Sequence, residues 1–404
     1  MTAAGDFSSY QSDGMLLEAG FISLFFAPPG LWPGLAAERP ASHISLWLLR
    51  WEWFRIYFES GIVKELSGDV QWRNFTAMDE YYQNSPLPTW VGWYVQHMPH
   101  WFHAASVAGT LLMEFVLVWM LFFPRRVRLI CFLIVTPWEI GVILTGNYAF
   151  LNYIVLGLGF LLLDDVYLGR VFPGRFRDSL MKESAPAQAE LGRGTAVHRW
   201  VHGSGVVLSG FMLLWIGYAT TAEMLGLLGV NELPMRPVEL LEPFRIANQY
   251  GLFAVMTRGR YEIEFQGSND GENWQPYLFT HKPQLVNEAP RIYAPYQPRF
   301  DWNLWFASLG NWQQNELVPV TEEKLLMNDR DVVGLFRGGP FDGKAPRFVR
   351  AVLWQYWFTS MDEKRQTGNW WRRTMLGLYA PAIERTPDGQ FEISAPPDLL
   401  PRHD

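Results

Sequence analysis

The sequence has 404 residues, a length that favours two domains over a single core. The formal net charge of −7 argues against a nucleic-acid partner. Hydrophobic residues make up 49% of the chain while its mean hydropathy is only −0.02, so the apolar residues must be concentrated. The long apolar runs all precede Gly229. We therefore expect a membrane-embedded helical bundle over residues 1–230 and a water-facing domain over residues 231–404.

Six apolar stretches before residue 230 are candidates for membrane helices. Four of them cover residues 104–123, 129–146, 147–163 and 205–228, and about 20 apolar residues suffice to cross the hydrocarbon core. Two are weaker, since residues 15–35 contain Pro28-Pro29 and residues 44–62 contain Arg50, Glu52, Arg55 and Glu59. If residues 44–62 form a helix, both Glu52 and Glu59 can pair with Arg55 one turn away. Such a helix must face a bundle interior or a wet cavity, not lipid. The sequence predicts about six transmembrane or re-entrant helices.

The basic residues of short loops predict the orientation. Arg125, Arg126 and Arg128 mark one cytoplasmic turn, and the loop over residues 169–199 is basic as well. The N-terminus, the loop over residues 63–103 and everything after residue 230 are then non-cytoplasmic. The first residues lack the basic start and cleavage site of a signal peptide, so we expect a further helix upstream.

The second half has the pattern of a mainly β domain. Residues 251–256, 260–267 and 349–358 alternate apolar and polar side chains, which is typical of strands. Residues 269–271 read Asn-Asp-Gly, a turn signal, whereas residues 298–310 and 321–328 are more helical. The segment SNDGENWQPY resembles a strand-turn-strand of discoidin-like, galactose-binding sandwiches. We predict a β-sandwich with inserted short helices.

The loop from residue 71 to 103 is dense in tryptophan, tyrosine and histidine. It is either an interfacial cap of amphipathic rings or a binding platform for a lipid, a quinone or a client chain. His97, His100 and His103 would share one helical face and could hold zinc. However, Pro99 interrupts that helix and no HExxH motif is present. His198 and His202 precede a membrane stretch and fit interfacial anchors, so we predict no metal and no cofactor.

Two acids lie inside membrane stretches, Glu114 and Glu139. A buried carboxylate is costly there, which makes each a functional candidate. The structural explanation is an ion pair with Arg50 or Arg55, or a hydrogen bond between helices. No nucleotide-binding loop, nucleophile elbow or kinase motif is present, so the residues alone define no reaction.

Several long motifs occur in one order: WRNFTAMDEYYQNSPLPTWVGWYVQHMPHWFH, LTGNYAFLNYIVLGLGFLLLDD, FRIANQYGLFAVMTRGRYEIEFQGSNDGENW and NWWRRTMLGLYAP. Over about residues 16–381 the chain resembles the lipase maturation factor family. Its membrane half is also distantly similar to the helical domain of vitamin K-dependent gamma-carboxylase. Animal members sit in the endoplasmic reticulum membrane and help dimeric lipases reach their active assembly. The resemblance implies a folding factor in a bacterial inner membrane, or in the endoplasmic reticulum of a eukaryote.

Two functions follow as hypotheses. The favoured one is a maturation factor whose partners are the lipid membrane and a client lipase or other exported protein. The alternative is a membrane enzyme acting on a quinone or lipid, for which the acid–base and charge-stabilising candidates are Glu114, Glu139, His97, Asp79, Arg50 and Arg55. A weaker third idea is a sugar-binding β domain.

The sequence also provides candidates for client or ligand binding. They are polar and aromatic residues of the outer loop, the turns and the second half: Trp72, Arg73, Asp79, Tyr81, Tyr82, His97, His100, His103, Asn147, Asn152, Asn248, Tyr250, Arg260, Asp301, Trp302 and Trp305. By residue type, Asn147 and Asn152 fit a turn, and those after residue 231 fit framework positions.

Overall fold

A computed structural model of the chain describes residues 10–27, 42–164, 174 and 196–402, with the side chains of residues 196–204 excepted. The second part of the predicted stretch 15–35, the basic side chains of the loop 169–199 and those of His198 and His202 lie outside the described residues. By packing, the chain divides into two compact units. The first, called the helical unit, comprises Met1–Asn74, Val107–Ile140 and Leu151–Val255. The second, the sheet unit, comprises Phe75–Ser106, Gly141–Phe150 and Met256–Asp404.

Helices dominate the chain before residue 245. They are, in order, α1 (Gln11–Phe26), α2 (His43–Ser67), α3 (Val70–Arg73), α4 (Tyr81–Asn84), α5 (Trp90–Gln96), α6 (His100–Phe115), α7 (Arg125–Thr145), α8 (Leu151–Gly159), α9 (Ala196–Leu227) and α10 (Arg236–Glu239). Short 3₁₀ segments follow α6, α8 and α10 at Leu117–Phe122, Phe160–Leu162 and Glu242–Phe244. The apolar core of the helical unit is formed mainly by α1, α2, α8 and α9.

Helix α2 has clear local reasons to begin and end where it does. The Ser42 side chain accepts a hydrogen bond from the Ser45 amide at 3.4 Å, which caps the start. Gly68 ends the helix at φ +69°, a left-handed conformation that glycine adopts without a Cβ clash. The four charged residues predicted to avoid lipid, Arg50, Glu52, Arg55 and Glu59, are all buried. The prediction that this helix turns its charges inward is confirmed.

In the part of the chain that the structure describes, three helical segments are long and apolar enough to cross a membrane: His100–Phe122, Arg125–Thr145 and Gly205–Leu227. The stretch predicted at 147–163 becomes a helix only from Leu151, and its apolar part, Leu151–Leu162, is shorter than a full crossing. Among the described residues, α1 has 16 residues and α2 has many charges, so neither meets the same criterion. The structure therefore supports a helical first half with three candidate spans.

The sheet unit is built on one antiparallel sheet. Its strands are β1 (Arg260–Ser268), β2 (Gln275–Pro276), β3 (Phe348–Phe358), β4 (Trp371–Leu378), β5 (Ala382–Arg385) and β6 (Phe391–Ala395). Their order is β2-β1-β3-β5-β6, and β4 pairs with β3 beside β5. The long central pair is in register from Arg260 opposite Tyr356 to Ser268 opposite Phe348. Residues 260–267 and 349–358 are thus strands, as predicted.

Helices cover this sheet. They are α11 (Arg299–Leu309), α12 (Leu317–Leu326), α13 (Arg330–Val333) and α14 (Met361–Thr367), with a 3₁₀ segment at Trp312–Gln314. Leu304 and Leu325 from α11 and α12 share a core with Ile263 and Phe265 of β1. The predicted β-sandwich is therefore wrong for the described residues, because helices rather than a second sheet bury the inner face. Helical character at 298–310 and 321–328 is confirmed.

The predicted strand at residues 251–256 is also wrong, since these residues form no strand. The segment is an irregular loop, and its residues 251–255 belong to the helical unit. A Cβ on Gly251 would stand 2.6 Å from Val63 Cγ1, so only glycine allows this close approach. Phe253 has φ +60°, and its carbonyl accepts a hydrogen bond from the Trp72 indole at 3.0 Å. Close packing thus overrides the alternating pattern.

Candidate functional site

The aromatic-rich loop folds as part of the sheet unit. Its helix α5 is anchored by Trp93, which is fully buried with Tyr356, Phe358 and Trp371 of the sheet. Thr89 caps the helix by accepting from the Gly92 amide at 2.9 Å. These contacts fix the position of α5 on β3 and β4.

His97 strengthens the same anchor. Its Nδ1 lies 2.7 Å from the Trp93 carbonyl oxygen and its Nε2 lies 2.9 Å from the carbonyl oxygen of Thr359. The ring therefore bridges the end of α5 to the residue that follows β3. This candidate is a structural link between loop and sheet, and its ring nitrogens point at backbone oxygens.

Four large side chains of this anchored segment are exposed. Trp90, Tyr94, Met98 and Trp101 are 47%, 46%, 42% and 68% exposed, and we call them the aromatic surface. Trp90 and Tyr94 are four residues apart on one face of α5, whereas Met98 lies between α5 and α6 and Trp101 lies at the start of α6. None of the four was singled out from the sequence, although this spacing within WVGWYVQHMPHW could have identified them. An exposed apolar group of this size is typical of a protein or membrane contact.

Asn147 holds two loops of the sheet unit together. Its side-chain amide donates to the carbonyls of Leu87 at 3.0 Å and Arg291 at 2.8 Å. Its side-chain oxygen accepts from the backbone amides of Tyr293 at 2.6 Å and Ala294 at 3.0 Å. The side chain is buried, so these bonds are shielded from water. The Asn147 side chain thus holds the loop before α5 in place.

Arg260 performs a similar task on the other side of that loop. Its guanidinium donates to the carbonyl of Gln83 at 2.9 Å and to that of Ser85, and it pairs with Glu262. Lys282 Nζ completes the buried group 2.7 Å from Glu262. Burial lowers the pKa of Arg260, and Glu262 opposes that effect. The charges of β1 thus position the aromatic loop.

The remaining candidates of the sheet unit form separate small groups rather than one site. Exposed His100 pairs with Asp79 at 3.0 Å, while His103 is buried with its ring 5.8 Å from that of Tyr82. Tyr81 lies edge-on to Tyr82. Asp301, Trp302 and Trp305 are buried on α11, where Asp301 accepts from the Lys282 amide. Within the described ranges, no three histidine, cysteine or acidic side chains are grouped to hold a metal ion.

The helical unit contains a buried charge group around Arg55. Its guanidinium pairs with Glu18 of α1, lies 3.6 Å from Glu59 and donates to the Asn248 carbonyl at 2.7 Å. Glu59 in turn accepts from the Tyr250 amide at 2.7 Å. The group therefore ties α1 and α2 to the segment after α10. Asn248 and Tyr250 participate mainly through their backbones.

Neither membrane acid pairs with the predicted arginines, whereas Glu139 makes hydrogen bonds between helices, the other predicted arrangement. Glu114 pairs with Lys64 of α2 at 2.6 Å. Glu139 accepts from the Tyr57 hydroxyl and the Asn152 amide, each at 2.6 Å. Pairing with Arg50 or Arg55 is wrong, because Arg55 is committed to Glu18 and Arg50 Nε donates to the Leu161 carbonyl at 2.8 Å. Lys64 was missed because it lies two residues past the predicted stretch 44–62.

A small cavity adjoins Glu139. Trp53, Tyr57 and Glu139 are among its lining residues, and it leaves about 10 Å³ for the centre of a water-sized molecule. That is room for about one water. A quinone or lipid tail would need a far larger space. The arrangement fits a hydrogen-bonded contact between α2, α7 and α8.

Trp72 and Arg73 mark the end of the helical unit's first segment. Trp72 is buried, and Lys64 Nζ lies 5.1 Å from its ring centroid. Arg73 is exposed, with its guanidinium 3.8 Å from Glu65. Trp72 thus supports the Lys64–Glu114 pair, whereas Arg73 is a surface residue.

Apolar helices followed by a folded antiparallel sheet define the chain as an integral membrane protein with a C-terminal sheet domain. Residues 1–170 match the lipase maturation factor transmembrane domain, and residues 246–381 match the lipase maturation factor C-terminal domain. The chain belongs to the lipase maturation factor family.

Individual relatives agree with this assignment. Lipase maturation factor 1 of Bos taurus is 30% identical over 392 residues, which cover 93% of this chain and 68% of that protein. Lipase maturation factor 2 of Gallus gallus is 29% identical over 489 residues, covering 98% and 68%. The human lipase maturation factor 1 is 30% identical over 389 residues, covering 93% and 67%. No solved structure matches the chain.

Proposed function

We propose that this protein is a membrane-bound maturation factor that holds a client lipase while the lipase folds or assembles. One observation carries the proposal beyond family membership. Residues 75–106 pack as part of the sheet unit and leave Trp90, Tyr94, Met98 and Trp101 on its surface. A factor that holds an incompletely folded client needs exposed apolar groups on a rigid support.

Rigidity of the support favours this use of the aromatic surface. Trp93, His97, Asn147 and Arg260 fix the loop through burial and hydrogen bonds to the sheet unit. Large aromatic side chains that are already ordered lose little conformational entropy when a partner binds. His97, Asn147 and Arg260 were predicted to bind a client or ligand, and Trp93 belongs to the same aromatic-rich loop as His97. We assign all four residues a positioning role.

We further propose the arrangement in the membrane. Residues 1–230 form the membrane bundle of about six transmembrane or re-entrant helices with an aromatic-rich outer loop at residues 63–103, and residues 231–404 form the domain on the non-cytoplasmic side. Arg125, Arg126 and Arg128 support this orientation, because basic turns stay in the cytoplasm. A bacterial inner membrane is the proposed location, where exported lipases pass, and the corresponding membrane of a eukaryote is the endoplasmic reticulum.

The enzyme hypothesis is not favoured. Glu114 and Glu139, its main acid–base candidates, are engaged by Lys64, Tyr57 and Asn152. The cavity beside Glu139 has room for about one water. His97 and Asp79 lie in the sheet unit, bound to Thr359 and His100. These groups stabilise the fold through pairs between helices or loops.

The experiment co-expresses a secreted lipase with the protein in cells that lack their own maturation factor. Replacing Trp90, Tyr94 and Trp101 together by serine should lower secreted lipase activity by about tenfold, which corresponds to ~1.4 kcal/mol of lost client affinity. Phe306→Ser is the matched control, since Phe306 is 44% exposed on α11 of the same unit.

Two measurements accompany the lipase assay. The amount of each variant in the membrane and its melting temperature should match those of the wild type. If the triple variant keeps full lipase maturation, the aromatic surface does not hold the client. If the triple variant is lost from the membrane, Trp90, Tyr94 and Trp101 form an interfacial cap instead.

A further inference from the structure

Two arginines of the helical unit bind backbone carbonyls where apolar helices end. The Arg50 Nε of α2 donates to the carbonyl of Leu161 at 2.8 Å, in the 3₁₀ segment after α8. The Arg128 Nη1 of α7 donates to the carbonyl of Phe123 at 3.2 Å, directly after the apolar segment His100–Phe122. Carbonyls at a helix end lack partners within the helix, so each arginine satisfies one of them. Both side chains therefore lie at the ends of membrane segments.

These two arginines lie near each other. The Phe132 ring, one turn after Arg128 on α7, packs against the Phe160 ring with 5.3 Å between the centroids. Phe160 directly precedes the residue whose carbonyl accepts from Arg50. The positive charges of Arg50 and Arg128 consequently act on each other. Like charges that are partly shielded from water repel each other strongly.

The described part of the chain supplies neither arginine with a paired carboxylate. Arg50 is only 8% exposed, and the Arg128 Nε is buried without a hydrogen-bond partner. Asp164 attracts Arg50, but among the described residues no carboxylate forms an ion pair with either guanidinium. A buried charge without a counter-charge is costly. A bound anion would offset both this cost and the repulsion between the two arginines.

The surroundings of this pair fit the headgroup level of a membrane. Trp47, one turn before Arg50, is 45% exposed, and the Arg50 Cζ lies 5.3 Å from its ring centroid. Exposed tryptophan is typical of the membrane–water interface. Phe122 and Phe123 are 46% and 55% exposed, and the second of them accepts from Arg128. Apolar surface thus adjoins the two charges, as a lipid with a charged headgroup requires.

We propose that Arg50 and Arg128 together bind the phosphate of an anionic phospholipid, such as phosphatidylglycerol, at this end of the helical unit. Guanidinium and phosphate match in geometry and form strong charge-assisted hydrogen bonds. Basic pockets between membrane helices recognise anionic headgroups in this way. Arg125 and Arg126 add two exposed positive charges at the start of the same helix, which favour a headgroup with net negative charge over a zwitterionic one. The lipid joins α2 to α7 and stabilises the bundle.

The test is native mass spectrometry of the full chain in a nonionic detergent, with dioctanoyl phosphatidylglycerol as the probe. The wild type should retain this lipid more strongly than phosphatidylcholine with the same acyl chains. Arg50→Gln combined with Arg128→Gln should weaken its binding about tenfold or more, because at least one charge-assisted hydrogen bond is lost with each guanidinium. Arg125→Gln combined with Arg126→Gln is the matched control, since it removes the same charge from exposed positions. This control should retain the lipid like the wild type.

Further measurements keep the proposal open to refutation. If the Arg50 change prevents folding, Arg128→Gln alone should still bind phosphatidylglycerol more weakly than the Arg125, Arg126 control. Inorganic phosphate at the same concentration should raise the melting temperature less than the lipid does, and an equal rise would overturn a lipid as the source of the anion. Equal lipid binding by the wild type and the Arg128→Gln variant would overturn the site. Equal losses in the two double variants would show that only overall charge matters and would overturn it as well.

Discussion

Replacing Asn147 by aspartate is the sharpest single change that the structure suggests. Aspartate has the same shape, so it preserves the bonds that the side-chain oxygen accepts from Tyr293 and Ala294. However, it places an oxygen where the amide now donates to the carbonyls of Leu87 and Arg291 at 3.0 and 2.8 Å. Two donated bonds are lost and acceptor faces acceptor in a buried site.

The size of the effect follows from these contacts. Each lost bond is worth about 1 kcal/mol, and unsatisfied buried oxygens add about 1–3 kcal/mol. We expect the free energy of unfolding to fall by about 3–5 kcal/mol. For a unit of this size that lowers the melting temperature by roughly 6–20 °C.

The assay is thermal unfolding of the detergent-solubilised protein, followed by intrinsic tryptophan fluorescence. Asn287→Asp is the matched control, because Asn287 is exposed in the same unit and should melt like the wild type. If the Asn147→Asp variant melts at the same temperature as the control, the hydrogen bonds of Asn147 do not stabilise the loop before α5. The inferred rigidity of the aromatic loop would then be wrong as well.

Three further predictions concern pH, the membrane pair and orientation. Burial raises the pKa of Glu322 well above its ordinary value, so the folded sheet unit binds a proton that the unfolded chain releases. The free energy of unfolding should therefore fall as pH rises from about 4.5 through that higher pKa. In the Glu322→Gln variant the melting temperature should depend less on pH over the same range. Lys64→Met leaves Glu114 buried without its partner and should cost about 3–5 kcal/mol, while adding Glu114→Leu should restore most of the melting temperature. In a Cys131→Ser background, Asn287→Cys should react with a membrane-impermeant maleimide from the non-cytoplasmic side, and protection from it would reverse the proposed orientation.

The charged helix shows what the sequence could predict. Arg50, Glu52, Arg55 and Glu59 could not face lipid, and all four are buried. Their partners could not be predicted in the same way, because Arg55 meets Glu18 of another helix and Glu114 meets Lys64 rather than an arginine. Burial depends on local pattern, whereas pairing depends on tertiary packing.

The β half illustrates a different limit. Residues 260–267 and 251–256 have similar alternating patterns, yet only the first becomes a strand. The first has a long partner in β3, while the second is placed as a loop by Val63 and Trp72. Strand preference is decided by the neighbouring surface, which one sequence does not reveal.

The aromatic loop was recognised by composition, but its exposed members were not. Candidates such as His97, His103, Tyr82 and Trp72 are bound or buried in the framework. The predicted candidates are polar or unusual residue types, whereas the exposed large side chains of α5 and the start of α6 are Trp90, Tyr94, Met98 and Trp101. Exposure of an aromatic side chain is a tertiary property, and helical spacing was its only local sign.

The proposed function requires that the aromatic surface contact a client lipase. The most direct measurement replaces Tyr94 by a photo-crosslinking phenylalanine analogue in cells that express a secreted lipase, with Phe306 replaced in the control. We predict a covalent adduct between position 94 and the lipase, identified by mass spectrometry, and little adduct from position 306. Cross-links from position 94 to membrane lipid, with none to the lipase, would contradict the account.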